Sequence, residues 1–302
     1  MTTFASRPGR AALAQLLYPQ SSFYGAKRRC IFWARSLAFG QTYRQALALA
    51  QTPAFTPVMT QHPKTLEKAF RPYLRRGLLP QQRLALIAGH YRLLAQHWSS
   101  EQLTRFLVEG MTLATLMGPD EQPVLVRLRS LSRFQREGEL TIVLEMAGEV
   151  FYAATVLLGE TPQGQVCLWV GGLQGPAKDA FSDSSIRDLT RQWFGLRPKA
   201  LMVTLVSYLA EAWGCQQIYA VATEGHVLAS RRYRGRDKLK TDYNGLWAES
   251  GGQALDAMSW QLPLQPPRKP LEEIASKKRS QYRKRYEWLD SLQEALFSQL
   301  TA

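Results

Sequence analysis

Cysteine is scarce in this chain, with three in 302 residues, and Cys30, Cys167 and Cys215 lie far apart. An odd, scattered set makes no disulfide framework and no zinc-type spacing, which excludes a disulfide-stapled secreted domain. Cys167 and Cys215 fall in or beside apolar runs and read as small buried residues in a reducing compartment. Histidine is nearly as rare: His62, His90, His97 and His226 include no HxxxH pair and no Cys/His cluster, so no metal site is expected. His62, His90 and His97 sit in helical patterns or caps and read as structural. Long apolar runs are missing too. No stretch approaches the roughly 20 apolar residues that a membrane span needs. The run Ala11–Tyr18 is short, carries Gln15 and lacks a small-residue cleavage site, so it is not read as a signal peptide. The expectation is a cytoplasmic, soluble chain, with peripheral contact at the inner membrane as the furthest it goes.

Acid is the other absence, and it is local. The net charge is +14, yet residues 1–110 hold fifteen Lys/Arg against only Glu67, Glu101 and Glu109. Residues 268–302 hold eight basic against five acidic, which leaves 15 basic and 16 acidic for 111–267 (38−15−8 and 24−3−5). The positive charge belongs to the two ends, and the middle reads as an ordinary globular domain.

What the middle contains is clearest between Gln165 and Gly252. An apolar strand from Val166 to Val170 runs into a glycine-rich turn at Gly171, Gly172 and Gly175. After Gly195 the residues Met202, Leu205, Val206, Leu209, Ala212 and Trp213 repeat at helical spacing. Pro198 suits a first helical position and Gly214 a stop. A second apolar strand, Gln217–Thr223, follows. Strand, helix, strand predicts a βαβ unit with parallel strands, crossed by the 198–213 helix.

The chain before this unit divides in two. Residues 1–118 read as a basic helical region, punctuated by Pro53, Pro57, Pro63, Pro80 and Gly118, with Ser99 or Ser100 as an N-cap. Arg28, Arg29, Trp33, Arg35, Tyr43 and Arg44 interleave cations with aromatics, which suits either a polyanion or a solvated face with snorkelling arginines. From Pro123 the pattern alternates, predicting three antiparallel strands that feed the Val166 strand as a fourth. After the βαβ unit come a last alternating strand at Trp260, Leu262 and Leu264 and a single basic helix from Leu271 to Leu300. The predicted fold is therefore α+β. Its parts are a helical N-terminal region (1–118), a mixed sheet of antiparallel meander plus βαβ unit (119–268), and a basic C-terminal helix (269–302).

That order of elements is similar to the GNAT acyltransferase fold, in which the splayed fourth and fifth strands and the intervening helix hold the pyrophosphate of acyl-coenzyme A. The chain also resembles the VirK/YbjX family of Gram-negative bacteria. The likeness rests on GGLQG at 171–175, LRPKALMV at 196–203, Gly225-His226, KLKTDYNGLWAESGG at 238–252 and KKRSQYRKRYEWLD at 277–290. The resemblance implies a link to virulence, the cell envelope and tolerance of cationic antimicrobial peptides, with no settled biochemical activity.

Candidate site residues gather at the ends of the βαβ elements. Arg197 and Lys199 flank the start of the 198–213 helix, where free N–H groups and the positive dipole end favour an anion; Gln174 and Gly175 add backbone donors for a cofactor pyrophosphate. The alternative is that the two cations are merely exposed. His226, just past the second strand, is a general-base candidate or a loop residue capping the next helix. Tyr243 and Glu249, after Lys238 and Lys240, either close over a pocket and supply a phenol or carboxylate, or cover a sheet edge. Lys277, Lys278, Arg279, Arg283, Lys284 and Arg285, with Tyr282, Tyr286 and Trp288, suit a helix lying on an anionic phospholipid or lipopolysaccharide surface, or an ordinary solvated helix. Nucleic acid is not expected, since no recognised motif accompanies the charge. Two functions follow from these readings. One is an acyl-CoA-dependent acyltransferase acting on an amine or hydroxyl. The other is a non-enzymatic envelope-stress protein whose basic ends bind anionic lipid.

Overall fold

The computed structural model describes residues 9–176, 181, 183–230 and 241–301. The N-terminal region folds as α1 (Arg10–Leu17), α2 (Phe23–Ala38), α3 (Gly40–Ala50), α4 (Thr56–Gln61), α5 (Thr65–Lys68), α6 (Pro80–Leu94) and α7 (Ser100–Glu109). Ser99 caps α7: its hydroxyl accepts from Gln102 N, and the Gln102 side chain accepts from Ser99 N.

The helical region ends earlier than its spacing predicts. Met111–Met117 is a strand, β1, and not the continuation of α7 to residue 118. Gly110, at φ +72°, breaks the helix, and a Cβ there would stand 2.8 Å from the Leu128 carbonyl oxygen. A register shift between Thr112 and Ala114 puts the buried residues of β1 at Leu113 and Leu116. That three-residue interval imitates a helix in the sequence.

The sheet continues through β2 (Pro123–Arg129), β3 (Leu140–Met146), β4 (Glu149–Glu160) and β5 (Val166–Gln174), each antiparallel to the last. After α8 (Asp183–Gln192) and α9 (Pro198–Ala212), β6 (Gln217–Val221) joins β5 in parallel, registered from Cys167↔Gln217 to Val170↔Ala220. The crossover predicted from the sequence is present. Then α10 (Tyr243–Glu249) leads into the hairpin β7 (Gln253–Asp256) and β8 (Ser259–Leu262), with β8 antiparallel on β6. The order is β1-β2-β3-β4-β5-β6-β8-β7.

β4 is central. Its residues from Ala153 to Gly159 are buried without a break, covered by α6 and α9. α9 is buried all round from Leu201 to Ala210, more than a one-sided stripe requires, because it lies between the sheet and the C-terminal helix α11 (Ser276–Thr301). α11 begins five residues later than expected: Leu271–Glu273 is a separate 3₁₀ turn, so Glu272 and Glu273 are not in its first turn. Leu289, Leu292, Leu296 and Leu300 bury its second half, and Trp288 stacks on Trp193 at 6.1 Å. The main apolar core runs from α1 through the sheet to α11, and a small second cluster joins Phe134, Val143 and Ala153. No helix among the described residues is long and apolar enough to cross a membrane.

Candidate functional site

β5 outlasts its partner. Pairing with β6 stops at Val170, while β5 runs on through Gln174, still bonded to β4. Gly171 and Gly172 are therefore strand residues and not the expected turn. Their reason is close approach: a Cβ on Gly171 would fall 1.7 Å from the Glu137 carbonyl oxygen, and one on Gly172 would fall 2.2 Å from Glu137 Oε2. The loop between β2 and β3 thus lays Glu137 directly on the backbone of β5.

Glu137 is buried and sits at the centre of a polar cluster. Its Oε1 accepts from Gln174 Nε2 at 3.3 Å and lies 3.5 Å from His226 Nε2. Its Oε2 is buried with no hydrogen-bond partner. His226 is fully buried, and its Nδ1 accepts from Leu228 N at 3.3 Å, so the ring proton faces Glu137 from Nε2. The His226 ring stacks on Tyr243 (5.2 Å between centroids, 22° between planes), and Tyr243 stacks on Trp247 (5.7 Å, 15°). The Tyr243 hydroxyl accepts from Leu173 N and from Gln174 Nε2, both at 3.1 Å, and donates to Leu173 O at 3.2 Å. The phenol is thereby fully engaged. Burial, and secondarily the Glu137 charge, raises its pKa well above the ordinary range.

Local sequence explains these placements. Asp242 caps α10 by accepting from Gly245 N at 3.0 Å, and Thr223 Oγ1 accepts from Tyr243 N at 3.1 Å. Tyr243 and Trp247 are one helical turn apart, which puts both rings on the buried face of α10. Trp247 Nε1 donates to Val221 O at 2.9 Å, tying the helix to the end of β6.

Beside the cluster is a cavity of about 320 Å³, lined by Tyr152, Leu173, Gly175, Lys199, Asp242 and Glu249 among others. Three of the residues singled out from sequence meet there: Gly175 at the end of β5, Lys199 in the first turn of α9, and Glu249 at the end of α10. Glu249 is exposed, Lys199 is half-buried, and neither is hydrogen-bonded or ion-paired among the described residues. Arg197 is exposed at the N-cap of α9 and does not line the cavity. Gln174 spends its amide on Glu137 and Tyr243. His226 is fully buried, with its ring stacked on Tyr243. Lys238 and Lys240 lie outside the described residues. No group of three His, Cys, Asp or Glu side chains among the described residues is placed to hold a metal ion.

Sequence reasoning missed Glu137. It stands in an irregular loop where no periodicity marks it, and its one trace is the pair of glycines that make room for it. Asp242 and Tyr152 were missed as lining residues because the cavity is assembled from four separate elements, β4, β5, α9 and α10.

The family model described as "Protein of unknown function (DUF535)" matches residues 22–297. A protein of Escherichia coli K12, "Uncharacterized protein YbjX", is 34% identical over 247 residues, covering 81% of this chain and 74% of that protein. A Haemophilus influenzae Rd protein, also uncharacterized, is 38% identical over 125 residues, 41% of each chain. No solved structure matches the chain.

Proposed function

We propose, for a chain that belongs to the DUF535 family and takes no assigned chemistry from it, an acyl transfer from an acyl-coenzyme A type donor to an amine. The carrying observation is the shared cavity, whose lining brings Lys199, in the first turn of α9, together with Glu249 and Asp242. A phosphate-bearing donor suits Lys199 and the start of α9, where helix dipole and lysine both favour an anion. The two carboxylates suit an amine better than a hydroxyl, because they attract its ammonium form. Glu249 then takes a proton from the bound ammonium, the freed nitrogen lone pair attacks the thioester carbonyl, the C–S bond breaks, and the thiolate leaves with the second proton of the nitrogen. Support for a GNAT-like core comes from the parallel β5–β6 pair, the α9 crossover and a β5 that outlasts β6.

Calorimetry with coenzyme A tests the reading. Lys199→Ala weakens binding by about 1.5–3 kcal/mol, the worth of one charge-assisted hydrogen bond, and Arg197→Ala, outside the cavity, changes it less. Glu249→Gln leaves binding intact and lowers acyl transfer by roughly 10²–10⁴. A chain that binds no coenzyme A at millimolar ligand overturns the proposal.

A second reading has its own support. Tyr243 occupies both backbone groups of Leu173, so the gap between β5 and β6 is filled where a splayed pair would admit an acyl arm. This favours a non-enzymatic protein that binds anionic lipid or lipopolysaccharide through its basic ends. Such a protein keeps vesicle binding when the cavity residues are replaced.

A further inference from the structure

The N-terminal helices carry a surface that neither the cavity nor the basic tail explains. α2 has two faces. Gly25, Arg28, Phe32 and Ser36 are buried on one of them. Phe23, Lys27, Cys30, Ala34 and Leu37 follow one another at intervals of four, three, four and three, and all five are exposed. At 100° per residue they fall within about 80° of arc, opposite the buried face. Trp33 and Tyr24 flank this stripe. Phe23 is 86% exposed, Tyr24 65%, Trp33 49%, Leu37 47% and the adjoining Phe39 39%. One helix thus presents a phenylalanine, a tyrosine, a tryptophan and a leucine outward, far more apolar anchorage than a solvated helix face holds.

The charge around the stripe is of one sign. Residues 1–66 contain eight Lys/Arg and no Asp or Glu. The first acid, Glu67, is 2% exposed and is held by Arg28 at 2.5 Å, by Arg71 at 3.2 Å and by the Tyr18 hydroxyl. It contributes nothing negative to the surface. Lys27 and Arg44 are exposed, and Tyr24 also lines a cavity of about 220 Å³ whose walls include Arg28, Lys64, Lys68 and Arg71.

We infer that the exposed face of α2 docks on an anionic phospholipid bilayer. The helix lies in the plane of the interface, with Phe23, Trp33 and Leu37 in the headgroup–acyl boundary and the flanking cations against lipid phosphates. A second copy of the chain fits worse, since facing α2 helices would bring two acid-free, cationic regions together. A nucleic acid fits worse too, because Cys30, Ala34 and Leu37 offer nothing to a phosphate backbone or a base edge. The inference rests on the anionic-surface reading and gives it a location on α2 instead of α11.

Cys30 supplies the reporter. It lies within the stripe and is exposed, while Cys167 and Cys215 are buried. An environment-sensitive thiol dye therefore labels the full-length chain at the proposed contact. Phosphatidylcholine vesicles containing phosphatidylglycerol should shift the emission to the blue and sediment the protein, and phosphatidylcholine alone should do neither. Phe23→Ser/Trp33→Ser/Leu37→Ser should weaken partitioning by about tenfold or more. Lys277→Gln/Lys278→Gln/Lys284→Gln in α11 should leave most of it. Should the triple serine chain fold poorly by near-UV circular dichroism, Phe23→Ser alone carries the test, since that side chain is the most exposed of the set. Serine variants that bind like the unaltered chain overturn the inference. Loss only in the α11 variant overturns it as well, and leaves the basic-end reading standing. An emission shift that grows with protein concentration in the absence of vesicles identifies a second copy, and one driven by RNA a nucleic acid; either result replaces the bilayer.

Discussion

α2 and α11 are both rich in cations, and they are held in opposite ways. α11 is fixed by leucines: Leu289, Leu292, Leu296 and Leu300 are buried, Trp288 stacks on Trp193, and Arg285 donates twice to the Phe194 carbonyl. Its exposed cations include Lys277, Lys278, Arg283 and Lys284, while Tyr282, Tyr286 and Trp288 are half-buried and, among the described residues, no large apolar side chain of the helix is exposed. α2 turns an ion cluster inward, Arg28 with Glu67 and Tyr18, and turns its aromatics outward. Cationic charge alone therefore does not identify a docking helix. What separates the two is where the apolar side chains go once the core has been filled.

The largest effect expected falls on the inward side of α2. Glu67→Met strips the buried Arg28 of its carboxylate and should cost about 3–5 kcal/mol in urea unfolding, because an uncompensated buried charge remains. Adding Arg28→Met should restore much of that loss. A double variant no better than the single would show that α2 is not held by this pair.

Leu296→Ala, at a side chain with no exposure, should cost about 2–5 kcal/mol and lower the melting temperature accordingly. A smaller cost would mean that α11 is attached by its arginines and not by its leucine seam.

Acid should separate the two sides by about 3 kcal/mol or less. His90, in α6 beneath the N-terminal helices, is fully buried, and its Nδ1 accepts from Leu158 N. Burial pushes its pKa from 6.5 down to about 4. Between those values the unfolded chain takes up a proton that the folded chain refuses. The stabilising difference is complete above about pH 6.5 and is lost progressively toward pH 4, up to about 1.4 kcal/mol per unit. Urea titrations across that window should show the slope in the Leu296→Ala chain and a flatter one in His90→Gln. An unchanged slope in His90→Gln would assign it to other groups.

The smallest effects belong to the outward face of α2. Phe23→Ser and Trp33→Ser should each alter stability by no more than about 0.5 kcal/mol, since exposed substitutions that remove no capping or ion-paired group usually do little. A large loss at either would mean that the face is structural.

The βαβ unit was legible in the sequence because burial on both sides of a parallel strand leaves an uninterrupted apolar run, and because Met202, Leu205, Val206 and Leu209 repeat at helical spacing. β1 was not, since its bulge gave Leu113 and Leu116 the spacing of a helix turn. Lys199 and Gly175 were singled out from the helix dipole and the strand end, and Glu249 from a segment too irregular to be only a packing element; all three line one cavity. His226 and Tyr243 were singled out as reactive types, but the fold turns both inward to hold α10 and the end of β5 together. Titratable chemistry is visible in a sequence, and solvent access is not. Glu137 shows the limit most clearly: only a three-dimensional contact makes its loop meet Gly171 and Gly172.

The parallel pairing of β5 with β6 also sets an order of events as the chain is made. β1 to β5 join neighbours through short connections, whereas Cys167 meets Gln217 only after α8 and α9 have intervened. At synthesis rates of about 5–20 residues per second, the 43 residues from Gln174 to Gln217 take about 2–9 s to appear. Through that interval the edge of β5, Val166–Gln174, is an unpaired apolar strand, a template for any other β-prone chain nearby. A nascent chain stalled within α9 should therefore be aggregation-prone and a substrate for chaperones, and its release into solubility should coincide with the emergence of β6.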